Sequence, residues 1–268
     1  MVSLLKIGSM NKSNFKIVFF GTPDFAMPVL ESLTQAGYNV SRFQSKSLKD
    51  DAIFDEFKKL NPDLCVVAAY GKILPAQYLV IPKYGFLNIH PSILPKYRGP
   101  SPVQTAILNG DKETGVSIML VDEKVDHGPI LATKTYKIPD SKSNTEISKE
   151  LFELGGQLTL EILPKYINKE ISPLEQEHDK ATFTKTFSRD DGHINWNEGP
   201  EKIYNQIRAL NPEPGTWATW KGKVVNIKKA GFVDGKITIK IIQMEGKKEM
   251  PLEEFLRGHS DFETSQLK

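Results

Sequence analysis

The feature that most constrains this chain is an alternation in its first half. Short apolar runs break off at glycine or asparagine, and segments with helical spacing lie between them. KIVFF, residues 16–20, ends at Gly21, and DLCVVAAYG, residues 63–71, follows Asn61-Pro62. Such runs suit strands buried on both faces of a parallel sheet. Between them, Phe25, Val29 and Leu33 recur at helical spacing over residues 25–36, and Gly37 supplies a stop. A second helix is predicted over residues 48–60, with Ile53, Phe54 and Phe57 on one face. Residues 86–90 and 115–121 read as further strands. Strands alternating with helices imply an α/β fold with a Rossmann-like, mostly parallel sheet, in which ligands bind beyond the carboxyl ends of the strands.

Farther on, Ser143 and Glu146 have the spacing of a capping box, so a long helix is expected from about 144 to 166. Residues 168–187 are polar and aperiodic, as a linker is. A short helix over 201–210 precedes stretches at 216–220, 224–228 and 236–243 that alternate and carry turn glycines, the pattern of a small antiparallel, OB-like β-barrel. The expected organisation is an N-terminal extension over 1–15, an α/β domain over 16–167, a linker over 168–187 and a β-barrel domain over 188–268.

Composition narrows the class. With 39% hydrophobic and 25% charged residues the chain reads as a soluble globular protein. It lacks the run of about 18 apolar residues that a transmembrane helix needs, so no membrane association is expected. The start, MVSLLKIGSMNKSNF, lacks the apolar core and cleavage site of a signal peptide. The single cysteine, Cys65, sits in an apolar run and excludes an internal disulfide framework; no Cys/His cluster suggests a metal site. These features imply a cytoplasmic setting. A net charge of +2 is too mild to indicate nucleic-acid binding by itself. Lysines cluster at Lys221, Lys223, Lys228 and Lys229 and again at Lys247 and Lys248, which taken alone reads as solvated faces.

The chemistry-bearing stretch is FLNIHPSILPKYRG. Asn88 and His90 are two apart, so both point to one side of a strand, and Leu87 and Ile89 point to the other. At a carboxyl edge the pair could donate hydrogen bonds to an oxygen that turns negative, and His90 could move a proton near neutral pH. The competing reading is that both satisfy loop backbone groups, and position alone does not separate the two. Asp126, in VDEKVDHGPI, is the third candidate: a carboxylate there could orient an imidazole or accept a proton. Asp122 and Glu123 are rivals at this spacing, and His127 reads as a bystander. GTPDF at 21–25 matches neither nucleotide fingerprint, and no nucleophilic Ser/His/Asp set is present, so the attacking group belongs to the substrate.

Longer motifs carry a resemblance. KIVFFGTPDFA, NPDLCVVAAYGKILP and GFLNIHPSILPKYRGPSPVQTAILNGDKETGVSIMLVDEKVDHGPIL, followed by KATFTKTFSRDDGHINW and IRALNPEPGTW, resemble the folate-dependent formyltransferases, specifically the branch acting on methionyl initiator tRNA. The resemblance covers nearly all of residues 16–258. It implies 10-formyltetrahydrofolate as co-substrate, no metal, initiator methionyl-tRNA as acceptor and partner, and a monomer. It implies a catalytic trio of Asn88, His90 and Asp126, and a folate wall made by Ser92, Ile93, Leu94 and Pro95 with the Tyr70-Gly71 turn. It further implies that residues 188–268 contact tRNA. Formyl transfer to a small amine (an aminosugar or glycinamide nucleotide) and a non-catalytic tRNA- or folate-binding module are the competing readings.

One departure stands out. AGYNV runs almost directly into SRFQSKSLKD, where the family normally has a second strand, a flexible basic loop and another helix. YNVSRFQ is too polar for a central parallel strand. A junction lacking family sequence is therefore inferred between Val40 and Phe43, and the neighbouring strand is expected to be left with an exposed edge.

Overall fold

The computed structural model describes residues 11–268, so most of the extension expected over 1–15 lies outside the described residues. The chain divides into two compact units, each assembled from separate stretches. Residues up to 96 join 115–134 and 149–181 in the first; residues 97–114, 135–148 and 182–268 form the second.

A six-stranded sheet organises the first unit: β1 (Lys16–Phe20), β2 (Asn39–Arg42), β3 (Leu64–Val67), β4 (Phe86–His90), β5 (Glu113–Leu120) and β6 (Ile130–Lys137), in the order β2-β1-β3-β4-β5-β6. Strands β2, β1, β3 and β4 are parallel, whereas β5 runs antiparallel to β4. Chain order reverses direction at β1, so the carboxyl ends of β1, β3 and β4 form one edge flanking the switch point, where α/β folds place ligands.

Period-two alternation divides each central strand between two cores. Ile17, Phe19, Leu64, Val66, Leu87 and Ile89 belong to one, with Val29 and Leu33 of α1 (Met27–Gln35) and Phe152, Leu158 and Ile162 of α5 (Asn144–Ile167). Val18, Phe20, Cys65, Val67 and Phe86 belong to the other, with Phe57 of α2 (Asp51–Leu60) and Tyr78 of α3 (Ala76–Leu79). Burial pushes the Cys65 thiol pKa well up, which makes it an inert core group. Glycines in mid-helix are unfavourable, yet α5 carries two together. A Cβ on Gly155 would lie 2.5 Å from Cγ2 of Ile89, and one on Gly156 3.3 Å from the Val29 Cα. Their absence lets α5 press onto β4 and α1.

Two local expectations are corrected. The helix predicted from residue 48 begins at Asp51, because the Asp50 carboxylate caps it by accepting from the Ala52 N–H at 2.9 Å. The polar stretch at 39–42 is a strand after all: β2 pairs in parallel with β1, Val40 opposite Ile17, and covers the edge expected to be bare. An edge strand is solvated on its outer side, so it needs none of the apolar residues that a central strand requires. Arg42 extends its guanidinium to the Gly21 carbonyl, with Nη2 at 3.0 Å.

The second unit holds the expected antiparallel β-domain. β7 (Trp217–Trp220), β8 (Lys223–Val233), β9 (Lys236–Met244) and β10 (Met250–Pro251) form a sheet in the order β10-β9-β8-β7. Ile203 and Ile207 of helix α6 (Pro200–Leu210) pack with Trp220, Val225, Ile227, Ile242 and Phe255. β8 extends beyond the alternation visible in the sequence, because a bulge between Ile227 and Lys229 resets its register. The buried Arg208 guanidinium, its pKa pushed down by desolvation, donates to the carbonyls of Pro139 and Lys142, each at 3.1 Å. Among the described residues no helix is long and apolar enough to cross a membrane.

Phe20 is enclosed by Phe43, Phe57, Tyr70 and Phe86. Phe20→Ala is therefore expected to cost about 3–5 kcal/mol. Val40→Thr on the edge strand should stay within about 1 kcal/mol. Urea unfolding of the two variants beside the parent checks the contrast.

Candidate active site

On the face of β4 that begins with Phe86 in the aromatic core, the next two positions are Asn88 and His90. The apolar core thus gives way to polar groups as the strand reaches the carboxyl edge. β5 backs both: Asn88 is paired with Met119 and His90 with Ser117.

Asp126 comes from the turn that follows β5. Val121 N–H donates to the Phe86 carbonyl at 2.9 Å, which fixes the start of the turn beside β4. Leu120 N–H donates to the Pro129 carbonyl at 2.9 Å and closes it. Inside, Asp126 has φ of 47°, in the left-handed region that side chains disfavour. Gly128 is obligatory, since a Cβ there would stand 2.0 Å from the Leu120 carbonyl oxygen. This turn aims the Asp126 carboxylate back at β4. Its Oδ1 accepts from Asn88 Nδ2 at 3.0 Å and lies 3.5 Å from His90 Nδ1. The His90 and Asp126 side chains are 5% and 13% exposed, so the pair acts across a dielectric well below that of water.

Of the rival acids, Asp122 is engaged elsewhere. Asp122 Oδ2 lies 2.6 Å from His127 Nδ1, and its Oδ1 accepts from Lys124 N–H. Glu123 is exposed. His127 stacks on His178, with ring centroids 4.0 Å apart and planes within 6°.

The six residues expected to line a folate wall differ in placement. Ser92 is fully buried and donates from Oγ to the Lys96 carbonyl at 2.6 Å, closing the loop on itself. Leu94 is buried, and its N–H donates to Ser117 Oγ at 3.0 Å. Ile93 packs over Gly115 so closely that a Cβ there would meet its Cδ1 at 2.2 Å. Ile93 and Pro95 keep partial exposure, and Gly71 is exposed with φ of 71°. The Tyr70 ring is committed to the core: it lies edge-on to Phe20 at 5.2 Å, with Lys72 Nζ 5.6 Å from its centroid.

Two residues that hold this arrangement escaped the sequence reading. Ser117 Oγ donates to the Ser92 carbonyl at 2.7 Å while accepting from Leu94, so one hydroxyl ties the loop after β4 to β5. Its only signal is a serine inside an apolar strand run. Gln176, in the stretch read as a linker, donates from Nε2 to the Asp126 and Gly128 carbonyls at 3.0 and 2.7 Å. Nothing in the sequence marks it. Chemically, the strand end presents an amide, an imidazole and a carboxylate converging within one hydrogen-bonded group. Amide donors suit an oxygen gaining negative charge, and a carboxylate beside imidazole suits proton removal.

Comparison with known proteins bears on the class. Residues 21–163 match the sequence model of the formyl transferases, and 187–236 match that of the formyl transferase C-terminal domain. Fold and matched domains together define a folate-dependent formyl transferase. The methionyl-tRNA formyltransferase of Roseiflexus sp. (strain RS-1) is 38% identical over 262 aligned residues, covering 89% of this chain and 80% of that protein. The methionyl-tRNA formyltransferase of Caldanaerobacter subterraneus subsp. tengcongensis is 34% identical, covering 94% of this chain and 100% of its own. The chain belongs to the methionyl-tRNA formyltransferase family. The Caldanaerobacter alignment spans 308 positions, more than this chain's 268 residues, so that relative carries stretches absent here. Solved structures share the fold: methionyl-tRNA formyltransferase from Clostridium thermocellum has a TM-score of 0.70 at 22% identity, covering 86% of this chain and 98% of that one. HypX from Aquifex aeolicus in complex with tetrahydrofolic acid has a TM-score of 0.73 at 17% identity, covering 90% and 46%.

Ser117→Ala removes the partner of a buried carbonyl and a buried N–H together. It is expected to cost about 1–3 kcal/mol, measurable as a fall of several degrees in Tm with the secondary structure unchanged by circular dichroism.

Proposed function

We propose that the protein transfers a formyl group from 10-formyltetrahydrofolate to the α-amino group of methionine on initiator tRNA, as a cytoplasmic monomer. The observation that carries the reading is the convergence of Asn88 and His90 on Asp126 Oδ1 at the carboxyl edge of the sheet, in a chain 34–38% identical to named methionyl-tRNA formyltransferases. The folate supplies an activated formyl carbon on a nitrogen that can leave.

Asn88 has two amide hydrogens and gives one to Asp126, so the other can meet the formyl oxygen as the amine attacks and that oxygen becomes negative. His90 turns Nδ1 toward Asp126, which fixes the orientation of its ring beside the reacting carbonyl. Asp126 accepts the proton that the attacking amine loses; the tetrahedral carbon then expels the folate nitrogen, which takes up a proton relayed through His90 and departs as tetrahydrofolate. The exposed faces of Ile93, Pro95 and Gly71 flank this end of the sheet and form the wall for the flat pteridine; Ser92, Leu94 and Tyr70 support it from beneath. Catalysis falls to residues 16–167, residues 168–187 form the linker, and residues 188–268 contact the tRNA.

The test is formylation of methionyl initiator tRNA by the purified protein with 10-formyltetrahydrofolate, run beside an aminosugar nucleotide and a glycinamide nucleotide. Formylmethionyl-tRNA is the expected product; turnover confined to the small amines overturns the tRNA assignment, and salt-dependent tRNA binding without turnover marks a binding module. In the same assay His90→Ala should lower kcat by about 10²–10⁴-fold with the fold retained by circular dichroism. Near-normal turnover in that variant removes His90 from the mechanism.

A further inference from the structure

Gln176, 6% exposed, is the one buried residue of 172–180, a stretch in which Leu174 is 72% exposed. This stretch is fastened to the Asp126 turn at every second residue, the repeat of an extended segment. Leu174 and Ile130 exchange backbone hydrogen bonds, at 2.7 and 2.8 Å. Gln176 Nε2 donates to the Asp126 carbonyl at 3.0 Å and the Gly128 carbonyl at 2.7 Å. His178 stacks on His127.

We infer that Gln176 is a positioning residue for formyl transfer, its side-chain amide clamping the 126–128 turn so that the Asp126 carboxylate faces Asn88 and His90. The inference rests on the assignment of Asp126 to the transfer. A primary amide has two hydrogens, and here each serves one carbonyl of the same turn. No other side chain of this length offers two neutral donors: glutamate would set a carboxylate against two carbonyl oxygens, and methionine donates nothing. Asp126 is held at a φ of 47°, a conformation that relaxes to the right-handed or extended region once its restraints are removed. Rotation of that residue carries its carboxylate away from Asn88 Nδ2 and His90 Nδ1. The strap thereby gives an otherwise featureless linker a task at the reacting centre, executed through the backbone and without contact with substrate.

The experiment is a double-mutant cycle on the full chain with Gln176→Met and Asp126→Asn, read by single-turnover formyl transfer, together with amide hydrogen exchange over residues 122–129. Gln176→Met should lower kcat about 10–100-fold, leave KM for both substrates within about twofold, and raise exchange in the 122–129 segment. In the Asp126→Asn background the same substitution should cost nothing further, because its effect passes through that carboxylate. An equal proportional loss in both backgrounds, a kcat within about twofold of the parent, or unchanged exchange overturns the inference. Should Gln176→Met not fold, Gln176→Asn, which keeps the amide one methylene shorter, takes its place with the same expected pattern at smaller amplitude. A parent protein that formylates no amine defeats the functional reading alone, and the exchange measurement still decides whether Gln176 holds the turn.

Discussion

One carboxylate oxygen, Asp126 Oδ1, stands 3.0 Å from the amide of Asn88 and 3.5 Å from the imidazole of His90, and much of the first unit serves that convergence. Meeting it requires three independent alignments. β4 must keep its period-two pleat to the last residue, so that Asn88 and His90 share a face. β5 must hold its antiparallel register, so that the turn at its end opens beside β4. The turn must then fold back sharply enough to return a side chain to the strand, which only a glycine at 128 permits. A slip of one residue in the first would turn the polar pair toward Val29, Phe152 and their neighbours and set Leu87 and Ile89 where the carboxylate arrives.

The scaffold behind β4 is built for close approach. Gly155 seats α5 directly on Ile89, Gly115 receives Ile93, and Ser117 stitches the loop after β4 to β5. Each contact removes freedom from the strand end. Ala69 after β3 and Asp126 after β5 are among the residues that hold positive φ without being glycine, at 48° and 47°. Conformations of this kind persist only where surrounding bonds over-determine them, and around Asp126 those bonds are on view. Precise placement of such a side chain is obtained from a rigid support and not from the group itself.

How much of this could be read beforehand varied with the range of the interaction. The apolar runs of β1, β3 and β4 and the helical spacing of α1 and α2 were legible, because burial on two faces leaves a local signature. The pairing of Asn88 with His90 on one side was legible from their two-residue separation, and the longer motif singled out Asp126 where spacing left Asp122 and Glu123 equal. β2 was misread because its polarity excludes a central strand and says nothing against an edge. The continuation of β8 was hidden by a bulge at Ile227 and Lys229, which shifts the alternation by one and imitates a turn. That the Tyr70 ring packs edge-on against Phe20 is a contact that composition cannot show.

The sequence by itself determined the α/β class, the strand that ends in Asn88 and His90, and the membership of a formyl-transferring family, since each depends on residues close together or on a continuous motif. Only the tertiary structure decided how closely that acid approaches the histidine, which residues of the loop after β4 stay exposed, and that a glutamine fifty positions downstream grips the turn that carries Asp126. The physical reason is that an amide–carbonyl bond between Gln176 and Asp126 leaves no periodicity in either segment. It exists only once β5, the turn and the strap have been folded to within 3.0 Å of one another.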